Sequence, residues 1–466
     1  MSDTAPADLA PGATRELARF SAALTFESLP APVVAHLKLA ILDGLGCIVH
    51  GATLPWTARV AALVASDAGK PEATAFGLTT KVPATAAALV NATAGHAFEL
   101  DDIHRDSIIH PNSLTLAAAL ALAERAGGLN GKSFLTAIAA GYEVGARIGA
   151  AAGPGLLLGG FHPQGTTGAF ASAATAAHVL GLDAERTLHA LGIAGSLGAG
   201  LMAAQEGAMV KRLHSGNAAQ AGVRGVLLAE TGFTGIDNVI EAGYGGFITA
   251  HSTTPAPNRL LDGLGPKWEI LATGFKPHST VTSIHACLDA LSAIRREQAI
   301  DAGAIERIEA FVSTPTHVHC AWPYRAQSVT AAQMNIYYGL AVMALDGEAF
   351  VDQFTEARIA EPRTLEMTRR IEAHVDPEID ALGPSHRHTA RVRVTTTDGK
   401  TFEKRVEMRK GSPENPLTAV DVETKFRALT KGTLSSNAAD KATGQIAALE
   451  SMPDVRGLIT LLVGGA

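Results

Sequence analysis

The sequence predicts a mainly α protein, with a large all-helical domain and a smaller, inserted α+β lid domain. Three observations carry this. Long Ala-, Leu- and Gly-rich segments with helical spacing fill residues 1–266. Strand-type alternation is confined to residues 267–412. Helical patterning then returns over 413–466, so both chain ends build the helical domain around the 267–412 lid.

The elements follow in order. Pro30–His50 places apolar residues at helical spacing, with Ser28 as cap and Gly51 as stop. Ala84–Phe98, Leu114–Ala126, Ser133–Ala150, Thr167–Leu180 and Ala184–Gly195 repeat the theme. Several lack a broad polar face, so they belong inside a bundle or at a subunit interface. Ala304–Val318 reads as strand, and helical segments lie near 280–296 and 331–346. Thr389–Met408 alternates on both sides of Asp398-Gly399, the pair favoured in two-residue hairpin turns. Thr418 is the N-cap expected for the helix that follows.

Of 466 residues, 47% are hydrophobic and 18% charged, which suffices for a large core. The net charge is −7 with no basic stripe, which argues against a nucleic-acid partner. Cys47, Cys287 and Cys320 form no CxxC, so a disulfide framework is not expected and a reducing cytoplasm fits. The N-terminus lacks a basic start and an apolar core, and Leu114–Ala123 is too short to span a bilayer. The expectation is a cytoplasmic protein without a membrane partner.

Against this apolar background stand four patches of proton-carrying groups, each beside helix-breaking residues. Residues 99–110 hold four carboxylates (Glu99, Asp101, Asp102, Asp106), two imidazoles (His104, His110) and Arg105. Close carboxylates raise one another's pKa and can fix an imidazole tautomer. His162 sits between Phe161 and Pro163, which directs it out of helical geometry. Lys211, Arg212 and His214 offer a point cation, a planar fork and an imidazole between apolar flanks. Lys276 and His278 repeat that chemistry near the domain junction. His317 and His319 share a face if their segment is a strand, but no carboxylate motif joins them, and a structural role is the commoner one. The glycine-rich GSLGAG and GYGG lack the context of nucleotide loops.

In this order the patches resemble the MmgE/PrpD family along nearly the whole chain. The resemblance rests on Leu42-Asp43-Gly44-Leu45-Gly46, Asp101-Asp102 with His110-Pro111, and Phe161-His162-Pro163. It continues through Lys211–Asn217, Lys276-Pro277, Ala332-Gln333-Met334 and Gly411–Leu417. It implies a helical domain with a lid, a homodimer, and a site between domains that needs no metal or cofactor. Tyr324, Tyr337 and Tyr338 are candidates for a lid tyrosine of that family.

Patches and resemblance together give His162, Lys211, Asp102, His110 and Glu99 for catalysis. Lys276, Arg212, His214, His278 and Asp101 are then expected to bind a small polycarboxylate. Proton abstraction beside a carboxylate is the chemistry these groups suit. Where dehydratase- and decarboxylase-like members tend to read Asp-Phe-Asp-Asp-Thr, this chain reads Glu99-Leu100-Asp101-Asp102-Ile103. That departure favours an epimerase of the iminodisuccinate type. A 2-methylcitrate-type dehydratase comes next, then a cis-aconitate-type decarboxylase, then a non-catalytic carboxylate binder.

Overall fold

The computed structural model describes residues 9–67 and 69–463. The fold is mainly α. Its first apolar core is built by helices Ala31–Ala52, Ala84–Gly95, Pro111–Arg125, Gly131–Ala152, Gly168–Val179, Ala184–Leu197 and Val210–Glu230. Gly131–Ala152 packs on Gly168–Val179, and Val210–Glu230 packs on Ala84–Gly95, Gly168–Val179 and Ala184–Leu197. Small residues permit this approach. A Cβ on Gly222 would lie 2.5 Å from the Ala173 nitrogen, so the two helix backbones nearly touch there.

The Ala31–Ala52 helix corrects the expected cap. Its N-cap is Pro30, while Ser28 closes a separate 3-10 turn, Phe26–Ser28. It is also long and apolar enough to cross a membrane, with a mean hydropathy of 1.7 over its most apolar stretch. Here it is a core helix. Leu37, Ile41, Leu45 and Ile48 are buried. At its centre the buried carboxylate of Asp43 pairs with the Lys425 ammonium at 2.6 Å.

The second core lies under a four-stranded sheet, β4-β3-β5-β6. We number β1 Ile103–His104, β2 Thr273–Gly274, β3 Ile305–Val312, β4 Ile371–Val375, β5 Ala390–Thr396 and β6 Thr401–Val406. β3 runs parallel to β4 and antiparallel to β5. Ile308, Ala310 and Val312 of β3 and Val392 and Val394 of β5 point inward. Helix His285–Gln298 packs against β5 and β6, and Ile336–Asp346 packs against that helix and β4.

Two local expectations fail here for readable reasons. β3 ends at Val312 because Ser313 caps a new helix, Thr314–Cys320, accepting from the Thr316 N–H. His317 and His319 therefore lie on a helix, not on one strand face. The β5–β6 connection, Thr397–Lys400, has four residues, not two. Thr396 N–H donates to the Lys400 carbonyl at 2.9 Å, and Gly399, in left-handed backbone at φ 79°, donates to the Thr396 carbonyl. Asp398 accepts from the Thr396 hydroxyl and holds that wider turn.

The chain ends as it began. Thr418 and Asp421 form a reciprocal capping box for helix Ala419–Thr430. This helix and its successors, Ser436–Ala447 and Arg456–Val463, insert Phe426, Ala442 and Leu458 into the first core.

Candidate active site

The site begins where a helix stops early. The sequence reading carried the Ala84 helix to Phe98, but it ends at Gly95, and His96 is its C-cap. The next residues turn sharply, and Glu99 adopts a left-handed backbone at φ 55°, an unfavourable conformation for a side-chain-bearing residue. That turn points Glu99 inward. β1 follows and pairs antiparallel with β2, Ile103 opposite Gly274 and His104 opposite Thr273. The pairing brings the 99–110 segment beside Lys276.

Three cations converge on the Glu99 carboxylate. Its Oε1 accepts from the Lys211 ammonium and from the Arg212 guanidinium, and its Oε2 lies 3.4 Å from Lys276 Nζ. All four side chains are buried. Burial opposes ionisation of Glu99, but Lys211, Lys276 and Arg212 outweigh it and hold the carboxyl well below its usual range. Burial pushes Lys211 down to about 8; Glu99 resists that shift, while Arg212 and Lys276 reinforce it. Lys211 and Arg212 also open helix Val210–Glu230, whose N-terminus adds positive potential. Three cations against one carboxylate leave a strongly anion-attracting interior.

Beside this cluster lies a row of imidazoles. His96 is 4.8 Å from His110 and 5.9 Å from His162, centre to centre, and His162 is 5.1 Å from His214. Asp101 serves two of them, with Oδ2 2.7 Å from His96 Nδ1 and Oδ1 3.4 Å from His110 Nδ1. A carboxylate at Nδ1 leaves the proton there, so His96 presents a bare Nε2, which is buried without a protein partner. His110 Nδ1 lies 2.6 Å from the Asp102 carbonyl and is fixed in the same tautomer. His162 caps helix Pro163–Thr166, its N–H donating to the Gly200 carbonyl, and its Nδ1 meets His214 Nδ1 at 2.9 Å. Burial, with Lys211 adding to it, pushes His162 and His214 below the ordinary range, His214 to about 4. Burial likewise lowers His96 well below its usual value and His110 to about 3. All four rings are neutral at pH 7.

Glu99, Lys211, Arg212 and Lys276 are thus brought together, with His110, His162 and His214 alongside. Asp101 faces the imidazoles, not the cations. Asp102 is turned away, accepting from the Asn112 N–H and the Tyr142 hydroxyl. Burial holds its carboxyl well above the usual range, so it clamps the 99–110 segment to two helices. His278 departs from expectation. Its Nε2 pairs with Asp289 at 3.1 Å, on a network that continues to the Lys410 N–H and not to Glu99. Tyr324, Tyr337 and Tyr338 donate to the backbone carbonyls of Ile359, Ala321 and Gln353, and none reaches the cations.

Several residues escaped the sequence reading. Helical periodicity over Ala84–Phe98 hides His96, although Gly95 before it marks the stop. Gln333 accepts from Arg212 at 2.9 Å and donates to the Phe98 carbonyl, and Thr330 adds a second bond to Arg212. Gln164 accepts from the His110 N–H and donates to Ser113 and Ser215. Nothing in local sequence marks Gln164, and Gln333 stands in the Ala332-Gln333-Met334 motif without a sign of its role. The ligand atoms of His96, Asp101 and His110 lie within 4.8 Å of one another, close enough to hold a metal ion. The nearby Lys276 opposes a further cation at that spot, by the same repulsion that lowers both imidazoles.

Residues 15–260 match the MmgE/PrpD N-terminal domain and residues 278–451 the MmgE/PrpD C-terminal domain. The chain belongs to the MmgE/PrpD family. The C-terminal domain match thus includes helices Ala419–Thr430 and Ser436–Ala447, which pack into the first core. Among MmgE/PrpD relatives, the cis-aconitate decarboxylase-like protein oryM of Aspergillus oryzae is 32% identical over 97% of each chain. The cis-aconitate decarboxylase of Aspergillus terreus is 30% identical, covering 97% of this chain and 96% of its own. The human cis-aconitate decarboxylase is 30% identical over 93% of this chain and 90% of its own. These names are those of lyases. They lend no support to the epimerase reading drawn from Glu99 and Ile103.

Proposed function

We propose that this chain is a lyase that decarboxylates a small unsaturated polycarboxylate of the cis-aconitate type, using its own side chains alone. The observation that carries the reading is the convergence of Lys211, Arg212 and Lys276 on one buried carboxylate beside four buried imidazoles.

cis-Aconitate carries a carboxymethyl group next to a double bond conjugated to another carboxylate. Breaking the bond to the departing CO2 sends its electron pair through that double bond onto the remaining carboxylate. The carbon that was vinylic then takes a proton. The barrier is the charge developing on carboxylate oxygens, and fixed cations in a water-poor site lower it most effectively. In this reading Lys211, Arg212 and Lys276 grip the substrate carboxylates. His162 delivers the proton, His110 and His96 line the opposite side, and Asp101 orients them. In the arrangement seen here Glu99 occupies the place of a substrate carboxylate, so substrate entry displaces it from at least one cation.

The proposed enzyme has residues 267–412 as a lid over a helical body formed by 1–266 and 413–466. It also includes a homodimer, for which exposed Leu158, Leu201, Met209 and Val210 supply apolar surface. Sedimentation of the purified protein tests the dimer.

The deciding experiment incubates the protein with cis-aconitate or 2-methylcitrate in D2O, following CO2 release and the proton NMR spectrum. CO2 with one deuteron placed in the product supports the decarboxylase. Loss of water from 2-methylcitrate without CO2 would make the protein a dehydratase. Proton exchange on a polycarboxylate with no new olefin would restore the epimerase.

A further inference from the structure

Decarboxylation of a tricarboxylate has a stoichiometric demand that isomerisation and dehydration do not. The trianion plus one proton gives a dianion and CO2, so each turnover draws a proton from solvent. The donor facing the substrate is buried, and something must recharge it. This inference rests on the decarboxylase reading.

The His162–His214 pair has the geometry for that task. Their Nδ1 atoms lie 2.9 Å apart, so one ring carries its proton at Nδ1 and the other does not. Among the described residues, no other hydrogen bond engages either ring. His214 is on helix Val210–Glu230, on the face shared with Val210 and Asn217, both exposed, so it lies directly beneath the surface. The strand-like segment around Gly200 covers the pair. The Gly200 carbonyl accepts from the His162 N–H at 3.0 Å. A Cβ on Gly200 would come within 3.1 Å of the His214 ring and 3.3 Å of His162 Cβ. Among the described residues, the other titratable groups that bear on the pair are His96, His110 and Lys211. Of these, Lys211 is bound to Glu99 and His96 and His110 are oriented by Asp101, so none competes for the Nδ1–Nδ1 link.

We propose that His214 is a proton shuttle that recharges His162 from solvent, and not a substrate ligand as its sequence position suggested. His162 begins with its proton on Nε2 and gives it to the product carbon as the C–CO2 bond breaks. His214 passes its Nδ1 proton to His162 Nδ1, and solvent protonates His214 Nε2. After product leaves, water in the emptied site returns the pair to its starting tautomers. No proton is created or lost beyond the one that the product retains.

The test is steady-state decarboxylation of cis-aconitate by His214→Asn in weak buffer, with and without added imidazole. The expected result is a kcat lower by about tenfold or more, little change in KM, and recovery of kcat as imidazole rises. Wild-type kcat should not respond to imidazole. His214→Gln serves the same purpose if the Asn variant does not fold. A kcat within about twofold of wild type would overturn the shuttle, showing that water reaches His162 directly. A raised KM with no imidazole response would overturn it in favour of substrate binding. Absence of CO2 from the wild type would instead overturn the reading beneath it.

Discussion

Lys211 and Glu99 are joined in the buried centre of the molecule, and Glu99 reaches that ion pair from a left-handed backbone conformation. The pair sets the charge available to a bound anion, and its consequences can be measured.

Lys211 is charged below about pH 8 and neutral above it. Since kcat/KM reports the free protein, it should be flat near neutrality and fall as pH rises through about 8. Lys211→Arg should remove this alkaline limb, because a guanidinium keeps its charge. A limb unchanged in the Arg variant would assign it to another group.

On the proposed function, Glu99 competes with substrate for the three cations it pairs with here. Glu99→Gln keeps the shape and removes the competing charge. Calorimetry with a non-reacting tricarboxylate should show binding tightened by about tenfold, or about 1.4 kcal/mol. The alkaline limb should move below its wild-type position, because Glu99 raises the Lys211 pKa. Weaker binding would mean that Glu99 itself holds the substrate.

Asp101 fixes the tautomers of His96 and His110. An amide in its place can no longer insist on a proton at His96 Nδ1. Asp101→Asn should lower kcat by about tenfold to a hundredfold, and its kcat–pH profile should differ from that of wild type. An unchanged pH profile at reduced stability would indicate a merely structural role.

Lys425, from the C-terminal helices, pairs with Asp43 and donates to the Leu100 carbonyl beside the site. Lys425→Met leaves the fully buried Asp43 uncompensated. Breaking such a pair costs about 3–5 kcal/mol, readable by urea denaturation. A loss below about 1 kcal/mol would show that Asp43 is readily neutralised by protonation.

The sequence by itself determined much of this protein. The positions of the long helices, the β5–β6 hairpin, the Thr418 cap and the order of the charged patches follow from periodicity and capping chemistry, which act over a few residues. Tertiary structure decided what those patches do. Glu99 meets Lys211, Arg212 and Lys276 across 112, 113 and 177 positions of sequence. No local rule chooses Lys276 over His278, or turns Asp102 toward Tyr142 and Asp101 toward His96. Burial and long-range pairing make those choices, because a buried charge or imidazole is tolerated only where the fold supplies its partner.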